Sequence, residues 1–129
     1  MARAIIYFSL TGTNAAEVKF ETKGIVKKIA NKTIVNFIEE TDLKLHTTVT
    51  IESTKITIER TGKVEMCLVC DYLKEASVYM KIDNAYEVNM INNTILLESY
   101  ENGIMVIYQT EIDKEKNDTH QLKLTWEYI

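Results

Sequence analysis

Two cysteines, two histidines, an adjacent pair of glutamates and one oddly placed arginine are the side chains of this sequence that could do chemistry. Cys67-Leu68-Val69-Cys70 has the C-x-x-C spacing of zinc knuckles and thioredoxin-type redox sites, which place it at a turn or a helix start. Here it lies in an apolar run that reads as strand. Three residues of strand rise about 10 Å, beyond the roughly 7 Å between Cα atoms that a disulfide can span, and the two side chains point to opposite faces. The pair therefore reads as two small thiols, buried or half-buried, in a reducing compartment and without a metal. His46 falls on the polar parity of its segment and His120 opens the last strand beside Asp118, so both read as solvated histidines. Glu39 and Glu40, being adjacent, point to opposite sides of a strand and cannot act as paired carboxylates.

Arg60 is different, because it occupies the parity of Ile56 and Ile58 and aims a guanidinium at the interior if its strand continues regularly. A buried charge is costly unless paired or hydrogen-bonded. Tyr86, Tyr108 and Trp126 also share the apolar parity of their strands. Together they describe an interior mouth with one cation among aromatic groups, a ligand site formed by Arg60, Tyr86, Tyr108 and Trp126 that would take a small amphipathic molecule with an acidic head. The competing reading leaves Arg60 at the strand end before Gly62, bent out to solvent or paired with a glutamate. No nucleophile is matched to a base anywhere, so neither catalytic residues nor a cofactor is expected.

The elements that would hold these residues follow from an apolar and polar alternation that runs almost from end to end, with no proline in 129 residues. Leu43, Leu45, Val49 and Ile51 share one parity, with Lys44, His46, Thr48 and Glu52 on the other. Ile56 and Ile58, then Val64, Met66 and Leu68, flank Thr61-Gly62 as a hairpin, and Glu101-Asn102-Gly103 turns the chain into Ile104, Val106 and Tyr108. Leu122, Leu124, Trp126 and Tyr128 form the inner row of the last strand. Strands are expected over 2–10, 16–29, 33–41, 43–53, 55–60, 63–70, 76–82, 85–91, 94–100, 104–112 and 119–128, with a turn at Asn92-Asn93 and the strongest loop over Asp113 to Asp118. The segment from Asp71 to Ala76 could hold a helical turn. Eight to eleven strands with short connections fit a single all-β, antiparallel barrel, since closure removes exposed edges; a sandwich is the alternative.

Length bounds the chain to one domain with its own core, and 46% hydrophobic with 26% charged residues is globular composition. The net charge is −4 and the lysines are scattered along outward parities, so a general nucleic-acid footprint is not expected. Met1-Ala2-Arg3, the apolar run Ala4 to Leu10 and Asn14-Ala15-Ala16 imitate a short secretion signal, but a first strand explains them as well. No apolar run approaches the roughly 18 residues of a membrane helix. The Asn-x-Ser/Thr triplets at Asn31, Asn92 and Asn117 are turn chemistry in a cytoplasmic chain.

Thr22-Lys23-Gly24, Glu39-Glu40, Thr47 to Ile51, Ile56-Thr57-Ile58-Glu59-Arg60-Thr61-Gly62 with Met66, then Tyr79, Gly103 to Tyr108 and His120 to Leu124 form a pattern nearly as long as the chain. It resembles the YwiB-like family of bacterial proteins of unknown function, small calycin-type (lipocalin-like) β-barrels. That resemblance implies a calycin-like barrel in the bacterial cytoplasm with no established activity. The chain departs from the family after Tyr79, where Met80-Lys81-Ile82-Asp83-Asn84-Ala85 stands in place of a turn containing proline and glycine. Fatty-acid-binding proteins insert a helical pair after the first strand, for which Gly12 to Ala16 leaves no room; lipocalins carry a Gly-x-Trp near the start, whereas Trp126 lies in the last strand. Two functions from different classes remain: a binder of a small amphipathic or acidic ligand in the barrel, and a packed barrel serving as an interaction or assembly module. The second would use outward apolar residues such as Met105, Ile107 and Leu96, and a homodimer is open to it.

Overall fold

Sustained alternation with β-branched and aromatic residues produces strand throughout, and the computed structural model describes residues 1–13, 17–82, 86–113 and 116–129. At Ile82, Tyr86, Ile112, Asp113, Lys116 and Asn117 it describes the backbone alone. The strands are β1 (Ala2–Gly12), β2 (Val18–Ile29), β3 (Lys32–Ile38), β4 (His46–Ile51), β5 (Lys55–Thr61), β6 (Val64–Asp71), β7 (Ala76–Ile82), β8 (Tyr86–Tyr100), β9 (Gly103–Asp113) and β10 (Lys116–Tyr128). Each pairs antiparallel with its neighbour in sequence, and β1 pairs with β10 from Ala4↔Tyr128 to Gly12↔His120, closing a ten-stranded barrel. The expected all-β antiparallel barrel is the fold, and the sandwich is not. Among the described residues no helix is long and apolar enough to cross a membrane.

Three local readings are overturned. Asn92-Asn93 is not a turn: β8 runs straight through it, and what breaks the ladder is a register shift between Thr94 and Leu96. Such a bulge places two residues against one, which leaves Ile95 49% exposed although its parity was that of Leu97. Asn92 instead turns inward, is buried, and donates from its amide to the Val69 carbonyl at 2.9 Å. The β6–β7 ladder ends at Leu68↔Val78, so this amide stands in for a strand partner that Val69 lacks there. Second, β4 begins only at His46, and Leu43 is exposed because Lys44 takes a φ of 45° and turns the chain ahead of it. Third, β9 and β10 extend into the expected Asp113–Asp118 loop, leaving only residues outside the described set between them. Tyr72 and Leu73 form a turn and Lys74 a bend, with the Leu73 amide donating to the Asp71 carboxylate at 3.0 Å.

The inward rows form one continuous core of Ala4, Ile6 and Phe8 from β1, Val35 and Phe37 from β3, Ile56 and Ile58 from β5, Ile104 and Val106 from β9, and Leu122, Leu124 and Trp126 from β10, with others between them. Gly24 sits in the inner row of β2, where a Cβ would meet the Asn36 carbonyl oxygen at 2.5 Å and Ile6 at 2.9 Å. The missing side chain lets the β1, β2 and β3 walls approach there.

Candidate functional site

All ten strands cross the barrel, so each has one half at the end where β1 begins and one half at the end where β1 finishes. At the first end the inner side chains, among them Ile6, Ile56, Ile104 and Trp126, are buried. The second encloses a cavity of about 270 Å³. Its wall is apolar over Phe8, Leu10, Ile58, Leu68, Val78 and Leu122 and includes Met66, Met80 and Met90, three of the five methionines of the chain. Unbranched, polarisable methionine adapts to differently shaped contents better than branched side chains do. Arg60, Tyr108, Thr110, Asp118 and His120 are its polar members.

Arg60 points inward from the end of β5, and its charge is met by Glu39. The guanidinium donates from Nε to Oε2 and from Nη2 to Oε1, both at 2.6 Å, and Thr47 donates to Oε2 at 2.6 Å. This forked geometry is the strong form of the pair. Glu39 is 1% exposed, while Arg60 keeps 23% of its side-chain surface and sets Nη1 3.8 Å from Met66 Sδ. The carboxylate is positioned by the β3–β4 connection, which is tied back by the Glu39 amide donating to the Leu45 carbonyl at 3.0 Å. Leu45 in turn packs on Gly62, where a Cβ would lie 2.7 Å from its Cδ2. Of the two early readings of Arg60, the inward aim and the glutamate partner are both present in the structure.

Tyr108 is buried on β9 and stacks on His120 of β10 with ring centroids 5.0 Å apart. Burial pushes the Tyr108 phenol well above its usual pKa, reinforced by Cys70 and opposed by Arg60, so the hydroxyl stays protonated. Burial likewise holds His120 below the ordinary histidine value, with Asp118 pulling the other way. The imidazole at neutral pH is thus uncharged. Deeper in the wall, burial raises Cys70 to about 11 against a lowering hydrogen bond from Asn92, whose amide nitrogen lies 3.4 Å from Sγ. Cys67 is half-buried on the other parity, and both thiols are free.

Of the four residues read from the sequence as a ligand site, the structure brings Arg60 and Tyr108 to the cavity. Trp126 is buried at the opposite, filled end, because Ile6↔Trp126 pairing puts it near the start of β1. The Tyr86 side chain lies outside the described residues. His120 is not on a solvated face as expected: it shares the parity of Leu122 and Leu124, a signal present in the sequence, and so lines the cavity beside Asp118. Glu39 carried the same signal, two positions beyond Phe37 and four beyond Val35 in one inward row. The outward apolar residues Met105, Ile107 and Leu96 are half-buried on the barrel exterior.

A family model described as "Domain of unknown function (DUF1934)" matches residues 8–124, nearly the whole barrel. The chain belongs to that family. A crystal structure of the YwiB protein from Bacillus subtilis superposes with a TM-score of 0.83 at 18% identity, covering 99% of this chain and 92% of that one. The YwiB-like barrel expected from the sequence is therefore the architecture shared by the two. No curated protein matches the chain.

Proposed function

We propose that this DUF1934 barrel binds a small amphipathic molecule in its interior, apolar body among the methionines and polar head toward Arg60, Tyr108 and His120. The observation that carries the reading is the cavity of about 270 Å³ at one end of a barrel whose inner side chains at the other end are fully buried. Ligand pockets of about 300–1,000 Å³ are usual, so the molecule is small. Glu39 already neutralises Arg60 through two hydrogen bonds, which favours a neutral hydrogen-bonding head over a free carboxylate. Tyr108, held protonated by burial, offers a hydrogen-bond donor to such a head, and its ring stacks on His120. Two unpaired thiols fit a cytoplasmic protein.

Methyl-labelled methionine NMR tests the reading, with 1-hexanol and hexanoate as probes. Saturable shifts at Met66, Met80 and Met90 that leave Met105 unmoved are expected, stronger for the alcohol and abolished by the cavity-filling Met80→Trp. No shift from either probe, together with no bound mass on the purified protein in native mass spectrometry, would end the proposal.

A further inference from the structure

From Thr22 to Ile38 the chain carries Lys23, Lys27, Lys28 and Lys32 and not one acidic residue, although the whole sequence is acidic with a net charge of −4. Along the sequence these lysines look dispersed. The register sets two of them beside Arg3: Arg3 lies across from Ile25, Ile25 from Asn36 and Asn36 from Thr48, one line across four strands, with Lys23 and Lys27 two positions to either side of Ile25. A groove of about 470 Å³ runs over this outer face, lined by Arg3, Lys23, Ile25, Asn36, Ile38 and His46 among others, without a carboxylate. Ile25 is 38% and Ile38 46% exposed within it. Glu21, Glu40, Glu59 and Glu127 border the region, yet among the described residues the ion pairs within 4 Å are Lys55–Glu52 and Arg60–Glu39, so none of these cations is held in a direct ion pair.

We infer that this basic groove over β1 to β4 is a docking surface for an acidic, partly apolar extended segment of another protein. Charge complementarity selects the sign of the partner. Lys23 and Lys27 stand roughly 13 Å apart along β2 by strand rise, with Ile25 between them, a spacing that suits alternating acidic and apolar side chains on an extended chain. The aromatic ring in its lining, Phe37, is buried and offers no face on which a base could stack, which sets the groove apart from a single-stranded nucleic-acid platform. The groove lies on the outside of the barrel wall and the cavity on its inside, so occupancy of one does not require the other.

Fluorescence anisotropy with a labelled peptide of alternating glutamate and leucine tests it, with alternating lysine and leucine as control. The acidic peptide should bind, and Lys23→Glu should weaken it at least tenfold, as should raising salt from 50 to 500 mM, while Met80→Trp leaves it unchanged. Lys23 is exposed, and an unaltered melting curve verifies that the variant folds. Equal binding of both peptides, or no effect of Lys23→Glu, overturns the inference. So does tighter binding of single-stranded DNA or of phosphatidylglycerol vesicles, or a dimer in light scattering that Lys23→Glu dissolves, each of which assigns the face to another occupant.

Discussion

The two ends of the barrel interior are made by the same strands yet differ in kind. Read along β10, the inner row passes from Asp118 and His120 through Leu122 to Leu124 and Trp126; read along β5 it passes from Arg60 through Ile58 to Ile56. At the filled end, Ile6, Ile56, Ile104 and Leu124 are 0–1% exposed and interlock. At the cavity end, half-buried methionines and hydrogen-bonding groups leave space between them. One end provides cohesion, and the other is free to specialise because stability does not depend on its being full.

The sharpest way to break this contrast is at the one place where the cavity end is itself essential. Glu39→Ala leaves the Arg60 guanidinium without its partner, and stability should fall by about 3 kcal/mol, the lower part of the range for breaking a buried pair because Arg60 is partly exposed. Replacing both, as Glu39→Leu with Arg60→Met, should recover most of that loss in urea unfolding. If the double variant is as unstable as the single one, the ion pair is not what positions the β3–β4 connection.

Truncation measures the contrast directly. Leu124→Ala at the filled end should cost about 3 kcal/mol, since the site cannot collapse, whereas Met80→Ala beside an existing cavity should cost about 1 kcal/mol. Equal losses would mean that both ends are packed alike.

Titration sharpens it further. The Cys70 pKa is raised from 9.0 to about 11, so its contribution to stability is complete below pH 9 and is lost as pH rises toward 11. His120 is shifted downward; its contribution is present above the ordinary histidine pKa and is lost as pH falls below it. Alkylation of the native protein at pH 8 should therefore modify half-buried Cys67 well before Cys70, and His120→Asn should flatten the stability loss between pH 7.5 and 5.5. Labelling of Cys70 at the rate of a free thiol would remove it from the interior.

The smallest effect compares the turns. Ala30, between β2 and β3 at the filled end, has φ 51°, and Lys44, in the β3–β4 connection at the cavity end, has φ 45°. Left-handed backbone costs L-residues roughly 1–2 kcal/mol, and glycine returns part of this in entropy, so each change to glycine should raise stability by about 0.5 kcal/mol in thermal melts.

Much of the architecture was legible because parity is a local property. Alternation alone sorted Ile6, Val49, Ile58, Val106 and Leu124 to one side, and closure followed from the need to cover edges. Asn92 misled because asparagine pairs favour turns, while the tertiary need for a donor to Val69 kept the strand going. Glu39 and His120 carry an inward parity in the sequence, but adjacency to Glu40 and a place at the strand opening beside Asp118 point away from a site, although a buried polar group needs only a partner to be stable.

Residue order by itself determined which face most side chains take, because successive side chains of a strand point to opposite sides, and the bulge at Ile95 is where this fails. It did not determine height along the barrel axis, since stagger and register depend on how ten strands hydrogen-bond together. Only the closed sheet could decide that Tyr108 meets His120 and Arg60 meets Glu39 at one end while Trp126 fills the other, and only its register could collect Arg3, Lys23 and Lys27 on a single outer face.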